Sequence, residues 1–249
     1  MKKIKTIFRP AVMAVTLAVI LSAGSLLVWA APQPSTKTPV EITADSIDYD
    51  SASGLMQATG EVRITQGTAV ITAESAVYNT KSQEGHLTGG VNAVNQDATL
   101  TADEVKTYKN NTQLIALGGA VLTNGDSRLS GPTVEYNSET QYALVPANGK
   151  IEMNDGTMTA NKIEAFIAEN RAIGVGSVHI VSAVRKLDAT ADMATYYGQP
   201  KGQSKVILSG NARVLQDGNV LTGELLTLRL DEKAAEAQGG RPKLTIISQ

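Results

Sequence analysis

A short phrase returns along this chain at a fixed interval, and that interval limits the fold more than any local propensity. Five segments begin alike: Ile42-Thr43-Ala44-Asp45, Ile71-Thr72-Ala73-Glu74, Leu100-Thr101-Ala102-Asp103, Leu129-Ser130-Gly131-Pro132 and Met158-Thr159-Ala160-Asn161. Their third residues stand at 44, 73, 102, 131 and 160, a step of 29 each time. Two looser copies follow at Thr190-Ala191-Asp192 and Leu221-Thr222-Gly223-Glu224, after steps of 31 and 32. The loop Gly198–Gly202 accommodates the extra length. A second anchor runs in phase: Val62, Val91, Ala120 and Val178 lie at multiples of 29 from one another, each two residues after a glycine. Only the fourth copy slips, with Gly149 on the register and Ile151 two further on. Repeats of this length are stacked supersecondary units.

Within a copy the apolar period is two. Ile42 and Ala44 alternate with Thr43, Ile47 and Tyr49 with Asp48, and Val62 and Ile64 with Arg63. No ten-residue helical stripe follows residue 40, and Thr, Val, Ile and Tyr dominate, as they do in strands. The phase breaks between Ala44 and Ile47, which are three apart, and again at Ala73/Ala76, Ala102/Val105 and Gly131/Val134. If both members face inward, a bulge or corner lies between them. Gln66-Gly67, Asn124-Gly125, Asp155-Gly156 and Asp217-Gly218 are hairpin signals. Each repeat is thus a bent strand, a turn near residues 51–54 and an antiparallel return strand. Seven copies predict an all-β, elongated body of about fourteen strands.

The first 31 residues are different material. Lys2, Lys3, Lys5 and Arg9 precede an apolar run from Ala11 to Ala31, and Val28-Trp29-Ala30 is a small-x-small end. Residues 1–30 read as a signal peptide cleaved after Ala30, or as a retained anchor, since the run could just span a bilayer. Either way the remainder is exported. Residues 31–39, with three prolines among Ser and Thr, form an extended tether before a domain over 40–249. Removing the leader takes four of the 22 basic residues and none of the 24 acidic ones, leaving a net charge of −6. An acidic domain with no basic run excludes nucleic acid as a partner. The absence of cysteine excludes disulfides, thiolate metal sites and a cysteine nucleophile.

The register residues read as architecture. Ala or Gly at 44, 73, 102, 131, 160, 191 and 223 suits a bend that brings backbones together. Asp45, Glu74, Asp103, Asn161, Asp192 and Glu224 follow, and could form a calcium or acid–base ladder or simply serve as corner side chains. Pro132 and Asn161 break the charge pattern, which favours the corner. Tyr49, Tyr78, Tyr136 and Tyr196 stand five residues after the small one, and Tyr108 stands six after. They are either half-buried edge tyrosines or the lining of an amphiphile site. His86 and His179 lie in unlike contexts, and no nucleophile elbow, phosphate loop or His-Glu-x-x-His occurs. The sequence predicts no enzyme, no metal and no cofactor.

Ile42-Thr-Ala-Asp-x-Ile-x-Tyr49, the Gly60-x-Val-x-Ile64 return strand and the iterated Leu/Ile-Thr-Ala-Asp/Glu resemble the OstA-like repeat of the LptA/LptC/LptD N-terminal family of lipopolysaccharide transport proteins. The resemblance runs over residues 40–249. It implies a curved antiparallel β-jellyroll in the periplasm that carries lipid A acyl chains in an apolar trough. It also implies end strands that dock on an inner-membrane transporter complex, on an outer-membrane LptD-type protein and head to tail on further copies. A soluble LptA-like bridge and an anchored LptC-like adaptor both fit the leader. The physical reading agrees. Phe166 is the only Phe or Trp after the leader, and many small residues would underfill a core of fourteen strands. The expected trough lining is Ile42, Val62, Ile64, Ile71, Val91, Leu100, Leu129, Val134, Ile163, Val178 and Ile180. Two other classes compete. A structural β-solenoid that binds no lipid predicts a filled interior, and a β-helix carbohydrate enzyme predicts acids clustered on one repeat.

Overall fold

The computed structural model describes residues 39–109, 111–198 and 204–246. The leader and all of the tether but Pro39 lie outside them. Strands follow one another as β1 (Val40–Thr43), β2 (Ser46–Asp50), β3 (Leu55–Gln66), β4 (Ala69–Asn79), β5 (Glu84–Asn95), β6 (Ala98–Tyr108), β7 (Gln113–Asn124), β8 (Ser127–Asn137) and β9 (Tyr142–Val145). The second half runs β10 (Gly149–Met153), β11 (Gly156–Ala160), β12 (Lys162–Phe166), β13 (Arg171–Ser182), β14 (Leu187–Tyr197), β15 (Lys205–Gln216), β16 (Asn219–Arg229), β17 (Ala234–Gln238) and β18 (Lys243–Thr245). One 3-10 turn, Ile167–Glu169, is the only helical element among the described residues.

All pairings are antiparallel, and each long strand pairs with the next along the chain. The eighteen strands are fourteen arms, because four arms are broken in two: β1/β2, β9/β10, β11/β12 and β17/β18. In each broken arm the two pieces pair with opposite halves of one neighbour, as β1 and β2 do with β3. The fold is therefore the elongated antiparallel β-jellyroll expected, built by local pairing from one end to the other.

Every unbroken arm bends at its middle. Between β3 and β4 the register shifts from Thr59↔Ser75 to Val62↔Ala73, so that Gly60 and Glu61 oppose the single residue Glu74. The same irregularity recurs at each later pair of long strands. A bulge of this kind bends the strand and sharpens its twist. The bend turns the sheet into two leaves that face each other across one hydrophobic core. The expected phase breaks are these corners: Ala73 and Ala76 are both buried, as are Ala102 and Val105.

The corner glycine is fixed by sterics. Gly118 has φ +79°, and a Cβ built on it would lie 2.5 Å from Cβ of Asp103. Neither that conformation nor that approach suits an L side chain. The next position is less demanding: Glu61, Ser177 and Asn211 occupy it at φ between 46° and 50°. The corner acids thus cover glycines of the following arm, as Asp45 does Gly60. No group of acids and histidines with metal-holding geometry occurs among the described residues.

Turns close where the sequence signals placed them. Asp217 and Gly218 both have positive φ, 48° and 86°, which is the requirement of a type I′ hairpin. The slipped fourth copy has a structural counterpart. Pro146, Ala147 and Asn148 interrupt the arm between β9 and β10, so Gly149 opens a new strand instead of sitting inside one.

Candidate functional site

Strand pairing aligns interior residues into rows that run the length of the molecule. On one leaf, Ile42, Ile64, Ile71, Ala93, Leu100, Leu122, Leu129, Ile151, Met158, Ile180, Ala189, Val214 and Leu221 stand side by side. This row is aliphatic throughout. Facing it on the other leaf is a row of uneven size: Met56, Tyr78, Gly85, Thr107, Leu114, Tyr136, Ala143, Ala165, Ala172, Tyr196 and Val206. The tyrosine of the five-after position has become Thr107 in the third copy and Ala165 in the fifth.

Empty space follows the small members of the second row. One void, about 550 Å³ counting the open space at its mouth, lies where Gly85 and Thr107 stand between Tyr78 and Leu114. Ile64, Ile71, Ala93 and Leu100 close it from the aliphatic leaf, and no charged residue lines it. A second, wider void, about 800 Å³ with the open space at its mouth counted, lies over Ala143, Ala165 and Ala172, opposite Leu122, Leu129 and Ile151. Arg128 and Arg171 stand at its rim, Arg171 with its guanidinium 3.7 Å from the centre of the Phe166 ring. A third, about 390 Å³ on the same count, lies beneath Ile180, Leu187 and Val206. The first is bounded almost wholly by apolar side chains, Thr107 and Asn111 being its polar exceptions, whereas charged groups line part of the second (Arg128, Arg171) and of the third (Asp155, Arg185).

The tyrosines of this row resist ionisation. Burial pushes Tyr136 up to about 12 and raises Tyr78 and Tyr196 as well. Tyr142 is also pushed up to about 12, by burial first and then by the Glu164 carboxylate, to which its hydroxyl donates at 2.8 Å. At the third void Arg185 donates to Asp155 (2.7 Å) and lies 3.4 Å from Asp231, tying the β13–β14 turn to the chain beyond β16. With two carboxylates against it, this guanidinium is a clamp between turns.

The eleven residues expected to line a trough all face the interior. Ten belong to the buried core, and Ile42 packs against it from the edge arm. They divide into two kinds. Ile64, Ile71, Val91 and Leu100 border the first void, Leu129 the second and Ile180 the third. Val62, Val134, Ile163 and Val178 sit within two residues of a corner and are almost wholly buried, so they form the spine along which the leaves join. The residues missed by inspection of the repeat are those of the uneven row, Met56, Gly85, Leu114, Ala143 and Ala172, together with Thr107 and Asn111. Their signal was the exchange of tyrosine for a small residue at the five-after position. Tyr49, by contrast, is 60% exposed on the edge arm. Tyr108 belongs to the opposite pleat, one residue beyond the row. The histidines pair separately on the surface, His86 with Glu104 at 2.8 Å and His179 with Asp188 at 3.2 Å.

A family model described as LptA/(LptD N-terminal domain) LPS transport protein matches residues 41–142 and again residues 70–234. The chain belongs to this family. The two placements begin 29 residues apart, one repeat, as a stack of equivalent copies allows. This is a family of transport and binding proteins, not of enzymes. One solved structure matched to the chain is that of LptH, the LptA homologous periplasmic component of the conserved lipopolysaccharide transport device from Pseudomonas aeruginosa. It is 15% identical, the match covering 85% of this chain and 96% of LptH at a TM-score of 0.17, too low to bear on shape. A search among curated proteins gives no match. Among the described residues no helix is long and apolar enough to cross a membrane.

Proposed function

We propose that this protein binds lipopolysaccharide in the periplasm by taking lipid A acyl chains between its two leaves, and that it carries them from the inner toward the outer membrane. One observation carries the reading: an uninterrupted aliphatic row faces a row whose small members leave apolar space. Each acyl methylene moved from water into such space contributes on the order of 0.8 kcal/mol. A structural solenoid has no need of gaps opposite a continuous aliphatic wall. Membership of a lipopolysaccharide transport family supports the same ligand.

The open edges complete the bridge. The β1/β2 arm exposes Ile47 and Tyr49, and the chain beyond β17 exposes Leu244 and Ile246. Free strand edges bearing apolar side chains recruit further strands. In this reading they pair with the inner-membrane transporter, with an LptD-type protein or with another copy. Residues 1–30 act as the export signal and are removed. Trp29 reports on that step, being the only tryptophan: mature protein should give no emission on excitation at about 295 nm.

The test is photo-crosslinking in a lipopolysaccharide-bearing host, with the crosslinker at Ile64 or at its neighbour Arg63. Ile64 faces the first void, whereas Arg63 is on the outer face. Labelling of lipopolysaccharide from position 64 alone is the expected result. Equal labelling from both, or an empty protein that takes up no added lipopolysaccharide, would leave the structural solenoid standing.

A further inference from the structure

The outer face of the leaf that carries the uneven row bears aromatic residues that packing does not require. Strand pairing sets Tyr108, Gln113, Asn137, Tyr142, Phe166 and Arg171 side by side, one residue beyond the inward row on every arm. Rings support a sheet when they stand directly opposite, as Tyr142 and Phe166 do with centroids 5.1 Å apart. Tyr108 has no ring opposite it on β7, where Gln113 stands. Between Tyr108 and Tyr142 the two amides leave a groove of about 580 Å³ with its open space counted, floored also by Ile115 and Glu135.

The wall at Tyr142 is fixed. Its hydroxyl donates to Glu164 at 2.8 Å and its ring leans on Phe166. The Arg171 guanidinium lies 3.7 Å from the centre of the Phe166 ring and is held in turn by Glu169 at 2.8 Å. The floor offers hydrogen bonds of both senses. Asn137 Oδ1 accepts from the backbone N–H of Thr140 at 2.9 Å, which leaves the amide to donate, whereas the Glu135 carboxylate only accepts. Glu135 is the only charged residue among the described residues that line the groove, so an anionic ligand is repelled there. A group with an apolar ring face and many hydroxyls meets every condition. Its C–H face lies on tyrosine, and its hydroxyls both donate and accept. Sugars have that chemistry.

The groove also adjoins an opening into the interior. Phe166, whose ring backs Tyr142, lines the second void together with Arg171. We propose that the groove between Tyr108 and Tyr142 binds the sugar head of an amphiphile whose tail enters the second void. The inference rests on the reading that acyl chains lie between the leaves, and adds where the head of such a lipid goes. One aromatic pair is shared between the two parts of the site: Phe166 borders the space for the tail and Tyr142 the groove for the head.

The experiment uses the full mature protein and two neutral detergents with the same tail, dodecyl maltoside and dodecyl octaethylene glycol ether, titrated by calorimetry below their micelle concentrations. The ether head has no ring face and, apart from its end, no donor. Wild type should bind the maltoside about five- to tenfold more tightly, the worth of one ring contact or neutral hydrogen bond. Tyr108 and Glu135 line the groove and none of the three voids. Tyr108→Ala and Glu135→Ala should therefore each bring the ratio toward one and leave the ether bound within about twofold, and the second variant guards against misfolding of the first. Free maltose should bind at least about tenfold more weakly than the maltoside, because the tail holds the sugar at the groove. Equal affinity for free maltose would assign the groove to a free glycan and overturns the inference. A wild-type ratio of one, or a ratio that survives both substitutions, overturns it as well. A ratio of one with both detergents bound removes the groove alone, whereas failure of both to bind removes the transport reading too.

Discussion

Two interior rows of the same leaf, only two residues apart on every strand, have been put to opposite uses. The row beside the corner contains Ala58, Ala116, Val134, Ile163 and Leu208, each 0% exposed. Where it carries a glycine, at Gly174, a Cβ would come within 3.0–3.4 Å of Met158, Ala160 and Val178, so small residues there are matched by large ones across the core. One pleat farther out, Thr107, Ala143, Ala165 and Ala172 border voids, and so does Gly85, although a Cβ there would come within 2.7 Å of Thr107 Oγ1. Composition does not separate the rows; complementarity does. On the proposed function, stability resides at the corner and lipid capacity chiefly at the rim.

The largest expected effect is at the corner. Ile163→Ala should lower the unfolding free energy by about 2–5 kcal/mol, measured by urea denaturation, because the site is sealed and cannot collapse. A loss under about 1 kcal/mol would mean that the corner row is as loose as the rim. Next, Gly118→Ala should cost about 1–3 kcal/mol from its left-handed backbone and its approach to Asp103. Its neighbour makes the control. Gly119, with φ +67° and nothing within 4 Å of a built Cβ, should accept Asn with a change inside about 0.5 kcal/mol. Equal penalties at 118 and 119 would show that the glycine is needed for its backbone alone.

Alkali probes the rim. Tyr136 has its folded pKa raised above that of the unfolded chain, to about 12. Its contribution is therefore fully present below the ordinary tyrosine value near pH 10, and is lost as pH rises toward 12. Thermal midpoints should fall over that window, and less steeply in Tyr136→Phe; an unchanged slope would place the phenol in water. The smallest change in stability belongs to Ala165→Tyr, which restores the ring absent from the fifth copy. It should leave the melting temperature nearly unaltered while reducing displacement of a fluorescent fatty acid from the second void. Unaltered lipid uptake in that variant would separate the voids from binding.

Much of this was legible in one sequence because a repeat reports its own geometry many times over. Alternation at Val62/Ile64 and the three-residue steps at Ala73/Ala76 and Gly131/Val134 are local facts, and they gave strands, inward faces and corners directly. The break after β9 was visible as the displaced Gly149, though its form, an arm split around Pro146, was not. The voids were harder. Thr107 is unremarkable within its own repeat, and only pairing with Gly85 makes a gap beside Tyr78. Asn111 looks like an ordinary turn residue until the turn folds inward. Such features depend on what lies on the adjacent arm, some twenty residues away, and no single-copy pattern records it.

The spacing of the large tyrosines has a mechanical consequence. From Tyr78 to Tyr136, and again from Tyr136 to Tyr196, the row crosses four arms, roughly 19 Å at the usual 4.7–4.9 Å between strands. Tyr136 and Tyr196 stand between successive voids, so the interior is a line of separate spaces instead of an open pipe. On the proposed function, acyl chains advance along such a molecule in hops, resting between tyrosines until a ring swings aside.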